Sequence, residues 1–159
     1  MIGKLDHNGP SGLARLQRDV LDLPAVAGVV VAIGINDLGG GPAPASAAQL
    51  IAGLTELVGR ARARGLKVVG ATLTPVGDSA YGRPQVEAAR QQVNRWIRDS
   101  GSFDTVVDFD AVVRDPAQPA AFRPGWDSDR LHPSDVAYRA MGEALVHQLD
   151  QAGLAPVAD

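Results

Sequence analysis

The chain reads as an α/β domain in which helices cover a parallel sheet, and three observations point there. Short runs rich in β-branched residues recur without polar alternation, as expected for strands covered on both faces. Helical periods lie between those runs, so strands and helices alternate. The length of 159 residues, 45% of them apolar, suits a single domain over 1–159 with one core.

Taken in order, Ser11 fits the N-cap of a leading helix that runs to about Leu21. Residues 29–33, Val-Val-Val-Ala-Ile, form the first strand. Gly39-Gly40-Gly41-Pro42 then reads as loop. Leu50, Leu54, Leu57, Val58 and Ala61 share one helix face, and Gly65 suits that helix's C-terminal turn. Arg60, Arg62 and Arg64 read as its solvated side. The second strand spans 67–73, and Val86, Ala89, Val93, Trp96 and Ile97 mark the next helix. A third strand covers 105–109, and a loop follows from Pro116 to Pro124. A closing helix runs from about Ser134, a second N-cap candidate, to Leu149, with Ala137, Met141, Leu145 and Leu149 inward.

Composition narrows the function. A net charge of −3 with dispersed arginines leaves no basic stripe for phosphates, which argues against nucleic acid. Zero cysteines exclude disulfides, thiolate ligands and a cysteine nucleophile, without speaking to compartment. No apolar run approaches the ~20 residues of a membrane span. The opening residues MIGKLDHNGPSG lack the apolar stretch of a signal peptide.

Ligands of open α/β sheets bind outside the carboxyl ends of the strands. The loops on that edge, 34–45, 74–84 and 109–133, gather Asn36, Asp37, Thr74, Ser79, Asp108, Asp110, Asp129 and His132. Imidazole can take and return a proton near neutrality, provided its tautomer is held. Asp129, three positions before His132, reaches Nδ1 if the loop curls, which leaves Nε2 free for a hydroxyl. Pro133 keeps His132 out of helical backbone and in the loop. Asn36 follows the first strand, where a rigid element aims its amide toward the cleft as a donor to a developing oxyanion. An ordinary Asn-Asp turn is the competing explanation.

Gly34-Ile35-Asn36-Asp37 and Asp129-Arg130-Leu131-His132-Pro133, in this order, resemble the third and fifth sequence blocks of the SGNH/GDSL hydrolases. Gly9–Arg15, Ala71–Pro75, Val107–Asp110 and Pro133–Tyr138 are similar to further segments of that family, in the branch with acetylxylan-type and lipase-like esterases. The resemblance implies a three-layer α/β/α, flavodoxin-like sandwich of SGNH-hydrolase type that lacks the family's first strands and nucleophile turn. It implies a carboxylic-ester hydrolase of small acyl esters, acetyl or short-chain and including those on carbohydrate. His132 would be the base, Asp129 its orienting group and Asn36 the oxyanion donor; Gly3 falls near the family's second-block glycine, a backbone donor. No cofactor and no metal are implied. The location in the cell stays open, although related enzymes are often secreted.

The nucleophile is the open element. Gly77-Asp78-Ser79 is a literal Gly-Asp-Ser on the correct edge, so Ser79 is a candidate, yet the same triplet describes an ordinary turn. Ser11 is better explained as a cap, and Ser128 would compete with Asp129. Asp108, Asp110, Asp127, Asp129 and His132 could supply metal ligands, but no recognised ligand spacing occurs. Trp126 either lines an acyl or sugar pocket or lids the core, Trp96 is core, and His147 belongs to the surface of the last helix. The alternative to an active esterase is a silent truncated domain, or a subunit whose nucleophile comes from a partner chain. With its neighbours missing, the strand at 29–33 would be an apolar edge, prone to homodimerisation or strand exchange. A third possibility is a binding module that keeps the cleft without turnover.

Overall fold

Three strands pair in parallel in the order β1-β2-β3, with β1 at Gly28–Val31, β2 at Lys67–Ala71 and β3 at Thr105–Val107. In the computed structural model, which describes residues 9–41 and 43–154, Val29 pairs with Val68 and Ala71 with Val107. Gly3 and His7 lie outside the described residues. The expected α/β sheet is present, but each strand stops short of its apolar run. Ile33, Leu73 and Phe109 leave the ladder and line a cleft instead.

The leading helix changes geometry midway, from α1 at Gly12–Leu16 to a π-helical stretch at Gln17–Leu21. Ser11 caps it as predicted, its Oγ accepting from the Ala14 N–H at 3.1 Å. After β1 comes the five-residue α2, Ile35–Gly39. α3, Ala47–Arg62, opens with a reciprocal capping box in which the Gln49 N–H donates to Ser46 Oγ and the Ser46 N–H to Gln49 Oε1. Such a cap contributes about 1 kcal/mol. Leu50, Leu54, Leu57, Val58 and Ala61 are all buried, and Gly65 takes the left-handed φ of +75° that ends the turn. α4, Pro84–Asp99, buries Val86, Val93 and Ile97 but also Arg90 and Asn94. α5, Phe109–Val113, follows β3, and α6, Asp135–Gln151, closes the chain. Ser134 precedes α6 without capping it, because its Oγ donates to the Gly125 carbonyl at 3.1 Å.

The layers follow from side-chain alternation on the strands. Val31 and Val68 join α1, α3 and α4 in the larger core cluster, whereas Val69, Ala71 and Val107 meet Met141, Leu145 and Leu149 of α6. Trp96 packs edge-on against Phe103, ring centroids 5.5 Å apart, as a core residue. Burying a leucine as fully as Leu50 or Leu54 contributes about 1.5–3 kcal/mol each. Arg60 and Arg64 are not simply solvated: their guanidinium groups donate to the carbonyls of Leu13 and Leu21, strapping α3 and the turn after it to the leading helix.

β1 departs from the expectation of a strand covered on both faces. Val29 and Val31 turn toward the larger core, whereas Val30, on the other face, is 40% exposed. Among the described residues β1 pairs only with β2, on one of its two edges. No helix of the described residues is long and apolar enough to cross a membrane.

Candidate active site

A cleft of about 280 Å³ opens at the carboxyl end of the sheet. Residues following all three strands reach it, among them Ile33 and Asn36 after β1, Leu73 and Thr74 after β2, and Phe109 after β3. Leu131, His132 and Pro133 form one wall, with Tyr138 and Met141 of α6 beside them. The only ionisable side chains among the described lining residues are His132 and Tyr138.

The loop before α6 does curl. Arg130 takes a left-handed φ of +70°, its N–H donates to Asp127 Oδ1 at 2.6 Å, and the Ser128 N–H returns to the His132 carbonyl at 2.9 Å. This closed turn brings Asp129 Oδ2 to 2.8 Å from His132 Nδ1. The other oxygen, Oδ1, accepts the backbone N–H groups of His132 at 2.8 Å and Leu131 at 3.1 Å. The His132 N–H, the His132 ring and the Leu131 N–H, in that order, hold the Asp129 carboxyl down at about 2. Asp129 is therefore ionised at neutral pH and aimed by the backbone N–H groups of Leu131 and His132. A carboxylate at Nδ1 favours the tautomer with its proton there and leaves Nε2 as the acceptor. Ser128 is occupied elsewhere, its Oγ donating to the His132 carbonyl.

Asn36 lies not at a strand end but in the first turn of α2. Gly34 makes the bend: its φ is +133°, and a Cβ there would press on Leu50. The side-chain Oδ1 of Asn36 accepts from the Tyr81 hydroxyl at 3.1 Å, which leaves Nδ2 as its donor end.

The structure does not bring Ser79 into this arrangement. Ser79 is not among the cleft-lining residues; its Oγ donates to the Val76 carbonyl at 2.7 Å and accepts from the Tyr81 N–H at 3.0 Å. Its hydroxyl is consumed in the turn, the competing explanation for Gly-Asp-Ser. Trp126 likewise lines no part of the cleft; it packs on the Val113, Phe122 and Ala137 cluster with the Arg123 guanidinium 5.1 Å from its ring centroid. His147 is exposed on α6.

Asp108 and Asp110 are taken up by arginines. Arg90, Arg98 and Arg114 converge on the fully buried Asp110 at 2.6, 2.8 and 2.9 Å. Asp108 accepts from Arg98 and from Thr72 Oγ1. Burial raises its carboxyl, but Arg98, Thr72 and the Ala111 N–H outweigh that, and the net shift is downward. Arg90, pulled down by burial and raised more strongly by Glu87 and Asp110, also donates to the Leu73 carbonyl at 2.8 Å. Asn94 grips Leu73 at both backbone groups, accepting its N–H at 2.7 Å and donating to its carbonyl at 2.9 Å. The cleft segment after β2 is thus pinned from beneath. Sequence reasoning missed Arg90, Asn94 and Tyr81. A signal existed for the first two, since 86, 90, 93, 94 and 97 share the buried face of α4 and a polar residue on such a face needs a partner.

Comparison with known proteins adds four findings. The sequence profile of the GDSL-like lipase/acylhydrolase family matches residues 5–140. The crystal structure of a GDSL-like lipase from Bacteroides thetaiotaomicron superposes with a TM-score of 0.74 at 21% identity, covering 88% of this chain and 69% of that one. A variant of an acetyl-xylooligosaccharide esterase from Geobacillus Stearmophilus gives 0.64 at 18% identity, covering 93% and 68%. At these identities the likeness is one of fold. No curated protein sequence matches the chain.

Proposed function

This chain belongs to the GDSL-like lipase/acylhydrolase family, and on that premise we propose that it is a serine ester hydrolase acting on small acyl esters. The observation that carries the reading is the 2.8 Å contact of Asp129 Oδ2 with His132 Nδ1 at the wall of the same cleft that Asn36 enters. A serine hydroxyl, which none of the cleft-lining side chains among the described residues supplies and whose position the adduct below locates, attacks the ester carbonyl while His132 Nε2 removes its proton. Asp129 keeps the ring oriented and stabilises the imidazolium. Negative charge gathering on the carbonyl oxygen is met by Asn36 Nδ2. Collapse expels the alcohol with the proton from His132, and water repeats the sequence on the acyl-enzyme. The small, largely apolar cleft suits a short acyl group and a neutral ester. Acetyl esters on carbohydrate are the first substrates to try, given the esterase neighbour.

The experiment is intact mass after fluorophosphonate treatment, with peptide mapping and parallel hydrolysis of p-nitrophenyl acetate. One adduct per chain, lost in His132→Ala, with turnover falling about 100- to 1,000-fold in Asn36→Ala, is the expected result. A labelled and active His132→Ala variant would sink the assignment of the base.

A second reading is favoured by the hydrogen bonds that consume the Ser79 hydroxyl and by an edge of β1 that no described strand pairs. Here the chain supplies base, orienting carboxylate and oxyanion donor, while the nucleophile arrives on a partner chain. An adduct on the partner decides for it, whereas no adduct on a folded and monodisperse chain, with or without a partner, means a catalytically silent domain.

A further inference from the structure

The Tyr81 hydroxyl donates to the Asn36 side chain, and Tyr81 belongs to a loop with no part in the reaction as written above. Its ring lies against α2 at Gly39, so closely that a Cβ on Gly39 would overlap the Tyr81 ring carbons. From the same loop Arg83 donates to the Gly39 carbonyl at 2.9 Å. The loop is itself pinned: the Gly77 N–H donates to the Ala120 carbonyl at 2.6 Å, and Ser79 Oγ bridges the Val76 carbonyl and the Tyr81 N–H. Three grips on a five-residue helix, two at Gly39 and one at Asn36, exceed what a passive connection needs.

We propose that Tyr81 is a positioning residue that holds the Asn36 amide in its donor orientation, with Ser79 the staple that aims Tyr81; this rests on the reading of Asn36 as oxyanion donor. An asparagine side chain in the first turn of a short helix, half-exposed at a cleft, has a broad χ2 well of its own. A phenol donating to Oδ1 selects one face of that well and presents Nδ2 outward. Accepting at Oδ1 also polarises the amide, which makes each Nδ2–H a stronger donor. Gly39 is needed because the ring must lie on backbone to reach Asn36. The Gly-Asp-Ser triplet thereby acquires a role two bonds removed from the chemistry: Ser79 acts through Tyr81, and Tyr81 through Asn36.

The test uses the full chain labelled with nitrogen-15, comparing wild type, Tyr81→Phe and Ser79→Ala. Phenylalanine keeps the ring on Gly39 and removes only the hydroxyl, so the backbone amide spectrum stays in place away from Asn36. The expected result is a shifted Asn36 side-chain amide signal with a lower order parameter in Tyr81→Phe, and a smaller change of the same kind in Ser79→Ala. Ester turnover in Tyr81→Phe falls about 3- to 10-fold in kcat with KM unchanged, the loss of one neutral hydrogen bond. In an Asn36→Ala background the same substitution has no further effect. An Asn36 amide signal that keeps its position and order in Tyr81→Phe overturns the proposal, as does a kcat loss of equal size in the Asn36→Ala background. If Asn36→Ala itself leaves kcat intact while the amide loosens in Tyr81→Phe, the oxyanion reading falls and the positioning contact stands.

Discussion

Replacing Asp110 by Asn removes the negative charge on which three guanidinium groups converge, at 2.6 Å from Arg90, 2.8 Å from Arg98 and 2.9 Å from Arg114. Asp110 and Arg90 have no exposed side-chain surface, so water cannot replace the lost partner. Removing one member of a buried ion pair costs about 3–5 kcal/mol. Two features place the loss near the lower end of that range. Glu87 still meets Arg90 at two oxygens, and Arg98 keeps Asp108. A loss of about 3 kcal/mol is therefore expected, which for a domain of this size lowers Tm by about 6–12 °C. Urea unfolding followed by tryptophan fluorescence reads it as a reduced midpoint at unchanged slope. The partly exposed Arg15–Asp19 pair is the control, and its removal leaves the midpoint in place. A loss under about 1 kcal/mol in Asp110→Asn would refute the view that the cluster depends on this carboxylate.

Asp129, held at about 2, should remain ionised in a carbon-13 titration well below the range of an ordinary aspartate. Because the folded value is depressed, the bonds to Asp129 favour the closed loop above the ordinary carboxylate range, and that contribution is lost as pH falls toward 2. In His132→Ala the ring contact disappears while the backbone donors remain, so the midpoint rises yet stays below 3.8; an unmoved midpoint would mean the ring contributes nothing. Gly39→Ala forces the Tyr81 ring off α2 and should cost about 1–3 kcal/mol in the same urea assay, together with the Asn36 amide shift of Tyr81→Phe. Pairing of two copies through the edge of β1 that no described strand pairs predicts a concentration-dependent mass in light scattering that Val30→Lys reduces; a monomer at every concentration refutes it.

The alternation of β-branched runs with helical periods was sufficient to predict the parallel sheet and the edge that carries the cleft. Local patterns of this kind survive folding because burial rewards the same residues that create them. The curl bringing Asp129 to His132 was legible for a related reason: three residues and a proline leave few conformations, and Arg130 takes the strained one. Strand ends were less legible, since Ile33, Leu73 and Phe109 are apolar whether they extend a ladder or line a cleft. The exposure of Val30 could not be read from its own run, because it depends on what lies across the sheet.

Tertiary structure alone decided the rest. Tyr81 and Asn36 are 45 positions apart, and nothing local to either announces a contact. Ser79 looked like a nucleophile because its triplet matched one, and only the neighbouring carbonyl of Val76 and N–H of Tyr81 show where its hydroxyl is used. Arg90 reads as a surface charge until the sheet beneath α4 places Asp110 and the Leu73 carbonyl within reach. Sequence specifies which groups can donate, accept or ionise, and short-range geometry for those a few residues apart. Which distant groups meet is determined by the packing of whole elements, and in this chain that packing selects the partners of Asn36, Ser79 and Asp110.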